Sequence, residues 1–352
     1  MLNQSLKLNS EIFSSKVPPK STRDGFGEGL VLAGELNKNV VALCADVTES
    51  LRMNLFKDRF PERFIEMGIA EQNMAGVASG LAATGKIPVM GTYAVFSPGR
   101  NWEQIRTTIC YNQQKVIIVG SHTGLNAGPD GASHQALEDI ALTRVLPHLA
   151  VIVPVDAIEA RKAIIKAIEY STSVYLRLTR EKSPILTVEE TPFEIGKSQV
   201  FWLPSVIASE PKAFSRERSV AGGNLITIFA CGYLVFEALK AAQELEKEGI
   251  DITVINNSAI KPLDKELILE WAKKSKAIIT LEEHQIAGGM GSAISEFLSE
   301  NYPIQIHFMG INDAFGESGE TEELIQKYGL DKESIKQKVK AILKIKNLKL
   351  FK

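Results

Sequence analysis

Short apolar runs alternate with longer segments of helical period along the first half of the chain. A further helix is expected to begin around Ala70, with Glu71 in its first turn. This alternation is typical of a parallel β-sheet covered by helices on both faces. The pattern predicts strands at residues 40–46, 63–67, 87–94, 115–122, 150–156 and 173–180, and helices at residues 102–112, 134–146 and 157–170.

The alternation stops from Thr187 to Gly223 and then resumes in the second half. There the pattern predicts strands at residues 224–231, 252–255, 277–282 and 304–309, helices at residues 236–248, 264–274 and 290–299, and a terminal amphipathic helix. We therefore expect an α/β protein of two three-layer α/β/α domains, the first with a mostly parallel sheet and the second smaller. The expected boundaries are a flexible lead-in at 1–20, a first domain at 21–186, a linker or insert at 187–223 and a second domain at 224–352.

Composition supports a soluble globular protein of this size. The 352 residues suit two domains, and 45% are hydrophobic while 23% are charged. No apolar run reaches the length of a membrane span, and a net charge of −2 without a basic stripe offers little to nucleic acid. The three cysteines, Cys44, Cys110 and Cys231, are far apart, which is typical of reduced thiols. Because the N-terminus also lacks the pattern of a signal peptide, we expect a cytoplasmic protein.

Several polar or aromatic residues follow predicted strands of the first domain. Ligands of open parallel sheets bind at the carboxyl ends of the strands, so these residues are expected to share one edge. For Glu71 alone, an alternative is that a carboxylate in the first turn only offsets the helix dipole. The residues expected at this edge are Asp46, Glu71, Tyr93, Phe96, His122 and Arg180.

The loop after His122 carries further candidate chemistry. It contains three glycines, at positions 124, 128 and 131, and Asp130. His134 is expected at the start of the next helix, where a histidine and exposed backbone N–H groups favour an anionic or hydroxyl-rich ligand. The alternative is an ordinary turn that Asp130 caps and in which His134 only packs.

Three stretches carry a resemblance to a known family. They are "MGIAEQNMAGVASGLAATGKIPVMGTYAVF", "PDGASHQALEDIALTRVLPHLAVIVPVDAIEA" and "TLEEHQIAGGMGSAISEFL". Together they resemble the C-terminal half of transketolase, which comprises the pyrimidine-binding domain and the C-terminal domain of this thiamine diphosphate enzyme. The likeness runs from about Ser21 to about Gly329.

The resemblance implies roles for the cofactor-side residues. The glutamate that matches Glu71 hydrogen-bonds the pyrimidine ring nitrogen and favours the imino tautomer, whose exocyclic nitrogen removes the proton from the thiazolium carbon. The resulting ylide is the source of the carbanion chemistry. Tyr93 and Phe96 match aromatic residues that flank the pyrimidine, although core packing is the alternative for each. Asp46 matches a position near the thiazolium.

The resemblance also implies a sugar-phosphate site. Asp130 and His134 match positions that contact the donor ketose near its reacting carbons, which makes His134 a candidate acid or base. Thr123 stands where many family members carry an acidic residue, so the exact sugars stay open. The positions that match residues gripping the substrate phosphate are Arg23, Ser50, His122 and Arg180.

The family binds the cofactor diphosphate and Mg²⁺ through a GDG…N motif in a domain that precedes the pyrimidine-binding domain. The chain contains no GDG, and only 20 residues precede Ser21. We therefore expect one subunit of a split transketolase, with no metal ligands of its own. Its expected partner is an N-terminal subunit that carries GDG…N and most of the Mg²⁺ or Ca²⁺ site, and the two chains would form a dimer of heterodimers. The activity implied is transfer of a two-carbon ketol unit between sugar phosphates, as in the pentose phosphate pathway.

Three alternatives remain open from the residues. The β subunit of a 2-oxoacid dehydrogenase has the same two domains and a similar glutamate, but "DGASHQALED" and the pair His122 and His134 favour a sugar. A fragment of 1-deoxy-D-xylulose-5-phosphate synthase is the next alternative. A non-catalytic sugar-phosphate-binding module is the third. The small residues of the helix after Glu71 could admit a neighbouring subunit, or could pack on their own sheet.

Overall fold

The computed structural model describes residues 1–14, 16–204 and 225–347. Part of the predicted linker, the first residue of the strand predicted at 224–231 and the end of the C-terminal tail lie outside these described residues. The described strands are β1 Val40–Cys44, β2 Phe64–Glu66, β3 Ile87–Tyr93, β4 Ile117–Ser121, β5 Leu149–Ile152, β6 Ser173–Arg177, β7 Gln199–Trp202, β8 Ile226–Ala230, β9 Ile252–Asn256, β10 Ala259–Lys261, β11 Ala277–Gln285 and β12 Ile306–Ile311.

Helices cover the faces of the sheets formed by these strands. The described α-helices are α1 Thr22–Leu36, α2 Asn54–Arg59, α3 Glu71–Ala83, α4 Trp102–Gln104, α5 Asp139–Arg144, α6 Ala157–Glu169, α7 Leu234–Lys247, α8 Lys265–Lys274, α9 Met290–Asn301, α10 Thr321–Lys327 and α11 Lys332–Asn347. Helix α4 continues as a π-helix over Ile105–Tyr111. Short 3₁₀ turns lie at Gln4–Leu6, Pro61–Arg63 and Leu125–Asp130.

Within the described ranges the strands form two sheets, in the order β10-β5-β6-β4-β3-β1-β2 and β12-β11-β8-β9-β7. Neighbours in each sheet are parallel except at one edge, where β10 pairs antiparallel with β5 and β7 antiparallel with β9. The prediction of two α/β domains with mostly parallel sheets is therefore confirmed. The predicted domain boundaries stay a prediction. Strand β10 follows β9 in the chain but belongs to the first sheet, so a single boundary in the sequence does not separate the two sheets.

Alternating side chains of the first sheet enter two different cores. In β1, Val40 and Ala42 pack under α1 and α6, whereas Val41 and Leu43 pack under α3 and the π-helix. The second of these cores continues into the other domain, where it includes Phe229. Burial on both faces explains why these strands appear in the sequence as continuous apolar runs.

Several elements differ from the sequence prediction. Helix α5 begins at Asp139 and not at His134, because residues 131–138 form turns whose backbone N–H groups bond within the loop; those of His134 and Gln135 both donate to the carbonyl of Gly131. Strand β7 lies inside the predicted linker and completes the second sheet. The predicted lead-in packs on that domain: Leu2 pairs with Trp202.

Candidate active site

The carboxyl ends of β1, β3, β4 and β6 lie side by side, and four ring side chains meet there. The rings of Tyr93 and His122 lie 3.8 Å apart between centroids. Phe96 stacks at 6.2 Å from Tyr93, and the His134 ring meets both aromatic rings edge-on, at 5.9 Å and 5.7 Å. These four residues, predicted from strand ends and one loop, are thus in direct contact.

Glu71 opens helix α3 beside this ring cluster, and its carboxylate is almost fully buried. Its Oε2 accepts a hydrogen bond of 3.0 Å from Nη1 of Arg100, which is half exposed. Asn101 donates from Nδ2 to the backbone carbonyl of Glu71 and to Oγ of Ser97. The loop after β3 therefore fixes the start of α3 and its carboxylate together. A buried carboxylate needs such a cationic or hydrogen-bonding partner.

Helix α1 brings Arg23 to the same edge of the sheet. Its first turn is closed by a capping box between Ser21 and Asp24. The hydroxyl of Thr22 lies 3.0 Å from that of Thr179, just beyond the end of β6, and accepts from its backbone N–H. These contacts hold the first turn of α1 against the strand ends, and Arg23 lies in that turn.

Three arginines, Arg23, Arg52 and Arg180, lie at this edge, and the carboxylate nearest to Arg23 is paired with Arg52. Arg23 donates from Nη1 to the carbonyl of Ser50, while its buried Nε has no hydrogen-bond partner among the described residues. Burial and the nearby Arg52 and Arg180 lower the pKa of the Arg23 guanidinium. Arg52 forms an ion pair with Asp24, with an Nε–Oδ1 distance of 2.6 Å. Arg23 is therefore left with donors for an external anion.

Ser50 and Arg180 complete the predicted anion-binding group. The Ser50 hydroxyl accepts from the phenol of Tyr93 at 3.1 Å, which links it to the ring cluster. Arg180 lies 3.7 Å from Oδ2 of Asp130 and donates to Glu181. Asp130, which lies in the same loop as His134, is thus next to Arg180.

His122 lies at the centre of this group as a neutral imidazole. Burial, and then the charges of Arg23, Arg180 and His134, lower its pKa to about 3. Its Nδ1 lies 2.9 Å from the hydroxyl of Ser121, so Nε2 is the atom left for a ligand. In the same way Nδ1 of His134 bonds the hydroxyl of its neighbour Ser133 and leaves Nε2.

The glycine-rich loop is held in place by the second domain. The backbone N–H of Asn126 donates to Glu283 at the end of β11, and the Gln135 amide donates to the carbonyl of Glu317. Gly131 has a φ of 73°, and a Cβ at this position would collide with the hydroxyl of Ser318. The second domain therefore sets the position of His134 although it contributes no ring to the cluster described above.

Asp46 lies at the same edge but outside the ring cluster. It follows β1, has a φ of 58° and is exposed. Its backbone N–H donates to Glu66, which also accepts from the hydroxyl of Thr48. Among the described contacts of Asp46 none reaches the four rings, so its predicted place near a thiazolium stays a prediction.

Sequence reasoning missed three residues of this region. Arg100 and Asn101 follow a turn after β3 that carried no recognised motif, although an arginine four residues after Phe96 was a usable signal. Arg52 has a left-handed backbone conformation, with a φ of 62°, and no sequence pattern predicted it. For the described residues, no group of His, Cys, Asp and Glu side chains could hold a metal ion, and no helix is long and apolar enough to cross a membrane.

Two family models match the sequence. The model of the transketolase pyrimidine binding domain matches residues 19–184, and that of the transketolase C-terminal domain matches residues 217–335. The two matches follow the same order along the chain as the two α/β domains of the structure.

Whole-chain relatives agree with these matches. A putative transketolase C-terminal section from Methanocaldococcus jannaschii is 40% identical over 91% of this chain and 95% of its own length. A 6-deoxy-6-sulfo-D-fructose transketolase subunit from Clostridium sp. (strain MSTE9) is 34% identical over 96% of this chain and 99% of its own. A solved structure described as a split gene transketolase, inactive beta4 tetramer, is 42% identical, superposes with a TM-score of 0.80, and covers 92% of this chain and 98% of its own.

Proposed function

The chain belongs to the transketolase family, and from that premise we propose that it is the C-terminal subunit of a two-chain, thiamine diphosphate-dependent transketolase. The reaction proposed is transfer of a two-carbon ketol unit from a ketose phosphate to an aldose phosphate. The observation that carries the proposal is the convergence, at one sheet edge, of a buried carboxylate, a cluster of aromatic and histidine rings and an arginine-rich surface.

The residues beside α3 fit an aminopyrimidine ring. Glu71 provides a buried carboxylate at the start of the helix, and Phe96 provides an aromatic face next to it. Thiamine diphosphate, when bound, supplies the carbanion chemistry of the reaction. The task of Glu71 is to share a proton with the ring nitrogen, and that of Phe96 and Tyr93 is to hold the ring plane.

The arginine-rich surface fits the phosphate of a sugar. Arg23 offers a buried Nε that has no hydrogen-bond partner among the described residues, and the charge of Arg180 also acts on His122. The Ser50 hydroxyl is linked to His122 through Tyr93. A guanidinium fork binds a phosphate through two parallel hydrogen bonds, so two arginines can both position and neutralise it. His122, neutral at physiological pH, donates or accepts at Nε2 without adding charge.

His134 is the proposed acid or base toward the sugar. Its Nδ1 bonds the Ser133 hydroxyl, so Nε2 is the atom that would exchange a proton with a sugar hydroxyl. Its contact with the Tyr93 and Phe96 rings supports a role next to the proposed cofactor region. Asp130, ion-paired with Arg180, would contact the sugar hydroxyls from the same loop.

The diphosphate and metal ligands are proposed to come from a second chain. The sequence has no GDG, and the described residues offer no metal-binding group. Related proteins are described as a C-terminal section, as a subunit and as a split gene transketolase whose beta4 tetramer is inactive. These descriptions support a partner subunit that carries GDG…N and binds Mg²⁺ or Ca²⁺.

The donor is proposed to be an ordinary ketose phosphate, with a sulfonated ketose as the second candidate. The Clostridium relative is described as acting on 6-deoxy-6-sulfo-D-fructose and aligns over nearly the whole chain. A sulfonate and a phosphate monoester are both tetrahedral anions with three outer oxygens. The arginine-rich surface suits either of them, and the direct test has to compare them.

Co-expression with a candidate partner chain that carries GDG…N, followed by a two-carbon transfer assay, tests the proposal. Xylulose 5-phosphate, fructose 6-phosphate and 6-deoxy-6-sulfo-D-fructose serve as donors with a common aldose phosphate acceptor. Transfer from at least one ketose, absent from either chain alone, is expected. A complex that binds the cofactor but transfers from no ketose, or that acylates a lipoyl group from a 2-oxoacid, would refute a transketolase.

A further inference from the structure

Arg100 makes two contacts that together resemble the binding of a heteroaromatic ring. Its Nη1 donates to Oε2 of Glu71 at 3.0 Å, and its guanidinium carbon lies over the ring of Phe96, 5.0 Å from the centroid. The Glu71 side chain is 3% exposed and that of Arg100 is 50% exposed. The guanidinium therefore lies between the buried carboxylate and the solvent.

A guanidinium and an aminopyrimidine offer the same features to these two residues. Both are planar, both stack on an aromatic face, and both carry nitrogen that hydrogen-bonds a carboxylate in the ring plane. Glu71 and Phe96 are the two residues proposed above for the pyrimidine. They cannot present the same Oε2 and the same ring face to a guanidinium and to a pyrimidine at once.

The surroundings hold the carboxylate more firmly than the arginine. The backbone of Glu71 is tied to Asn101, which is itself bonded to Ser97, and the residue begins a regular helix. Arg100, by contrast, is half exposed, and Glu71 is its one acidic partner in the described part of the chain. Movement of the arginine toward solvent therefore costs one ion pair and one stacking contact.

We infer that the Arg100 guanidinium is an internal stand-in for the aminopyrimidine: it occupies the ring's place on Glu71 and Phe96, and must leave for the cofactor to bind. The inference rests on the proposed function and adds a residue that gates the cofactor site. Arg100 is a positioning residue here, because it acts through Glu71. Before the cofactor arrives it keeps the buried carboxylate paired, which protects the fold of the α3 start.

The first arm of the test measures the pair in the chain alone. Urea unfolding midpoints are compared for wild type, Arg100→Met, Glu71→Gln and the double variant. If the pair exists, Arg100→Met lowers the midpoint in the wild-type background and lowers it less in the Glu71→Gln background, where only the contact with Phe96 is lost. Equal effects in both backgrounds would overturn the inference. Arg106→Met, at an exposed position on the next helical turn, is the matched control.

The second arm measures competition in the complex with the partner subunit. Because the arginine must be displaced, Arg100→Met is expected to bind thiamine diphosphate with Mg²⁺ about fivefold more tightly than wild type, the worth of one partly exposed ion pair. Arg100→Lys, which keeps the charge, is expected to lie near wild type. Weaker binding by Arg100→Met would overturn the inference. If Glu71→Gln leaves the affinity unchanged, the proposed cofactor site itself is wrong.

Discussion

At the scale of single residues, the proposed cofactor site centres on the ion pair between Glu71 and Arg100. Glu71 follows β2 and begins α3, and the guanidinium that donates to its carboxylate lies over the ring of Phe96. The partner Arg100 lies 29 residues away in sequence. Its side chain reaches Glu71 only because the loop after β3 folds back over the α3 start. A local sequence pattern therefore does not predict the contact between Arg100 and Glu71.

Glu71→Gln tests the proton-sharing role directly. The amide keeps the size of the side chain but cannot hold a proton as the carboxyl does, so exchange of the cofactor C2 proton in the assembled enzyme should slow by roughly two orders of magnitude or more. Hydrogen–deuterium exchange of bound cofactor, quenched in acid and followed by NMR, measures the rate. Glu103→Gln, an exposed glutamate nearby, should exchange at the wild-type rate. Wild-type exchange in Glu71→Gln would remove the residue from this role.

Arg23→Met tests the anion surface. Loss of a guanidinium with a buried donor should raise KM for a phosphorylated donor by roughly tenfold or more and change kcat less, because the contact is made in both the bound state and the transition state. Steady-state transfer kinetics separate the two constants. Arg59→Met, on an exposed part of α2, is the control. An unchanged KM would move the phosphate away from Arg23.

At the scale of elements, the apolar runs were sufficient for the central parallel strands and insufficient for the edges. The start of strand β1 was predicted correctly, but its end was predicted two residues too late, because the backbone bends at Ala45 and becomes left-handed at Asp46. Strands β7 and β10 were missed because their stability comes from antiparallel pairing with distant strands, β9 and β5. The start of α5 was predicted five residues too early. The N–H groups of His134 and Gln135 bond within turns, and those turns have no hydrophobic periodicity by which the sequence could distinguish them from a helix.

Helix α6 and strand β9 meet at a buried glutamate with a testable pH dependence. Burial, and then Asp156, raise the pKa of Glu159 to about 8, while Asn256 donates to its Oε1 at 3.1 Å. A folded-state pKa above the unfolded value means that this contribution to stability is complete in acid and is lost as the pH rises through about 8.

Glu159→Gln should therefore remove a pH-dependent loss of stability. Relative to wild type, the variant's free energy of unfolding should improve by about 3 kcal/mol between pH 6 and pH 9. Urea denaturation at the two pH values measures this difference. Glu169→Gln, exposed on the same helix, should show no such change. A difference that is independent of pH would show that Glu159 is ionised throughout.

At the scale of the whole molecule, helix α3 presents two different faces. Ala75 and Ala78 are buried in the core against the sheet, and Ser79 donates to the carbonyl of Thr108 in the π-helix, which agrees with the alternative of packing on their own domain. Gly76 and Gly80 are exposed, and a Cβ at either would meet nothing within 4 Å. Ile69, which precedes the helix, is 73% exposed. The sequence could not separate the two faces, because small residues occur on both.

Gly76→Arg tests whether this exposed face meets another subunit. The chain alone should fold as wild type, because the position has room, whereas assembly with the partner into two copies of each chain should fail. Light scattering of the mixed subunits measures the mass. Ser299→Arg, exposed on α9, should assemble normally. Normal assembly of Gly76→Arg would place the interface elsewhere.

The central claim is that the active site is shared between this chain and a second one. Calorimetric titration of thiamine diphosphate with Mg²⁺ into the chain, into the partner and into their mixture tests it most directly. Tight, metal-dependent binding is predicted in the mixture only, because the residues proposed for the pyrimidine lie on this chain while the diphosphate and metal ligands are proposed to lie on the other. Binding by this chain alone with an affinity as tight as that of the mixture would contradict a site divided between two subunits.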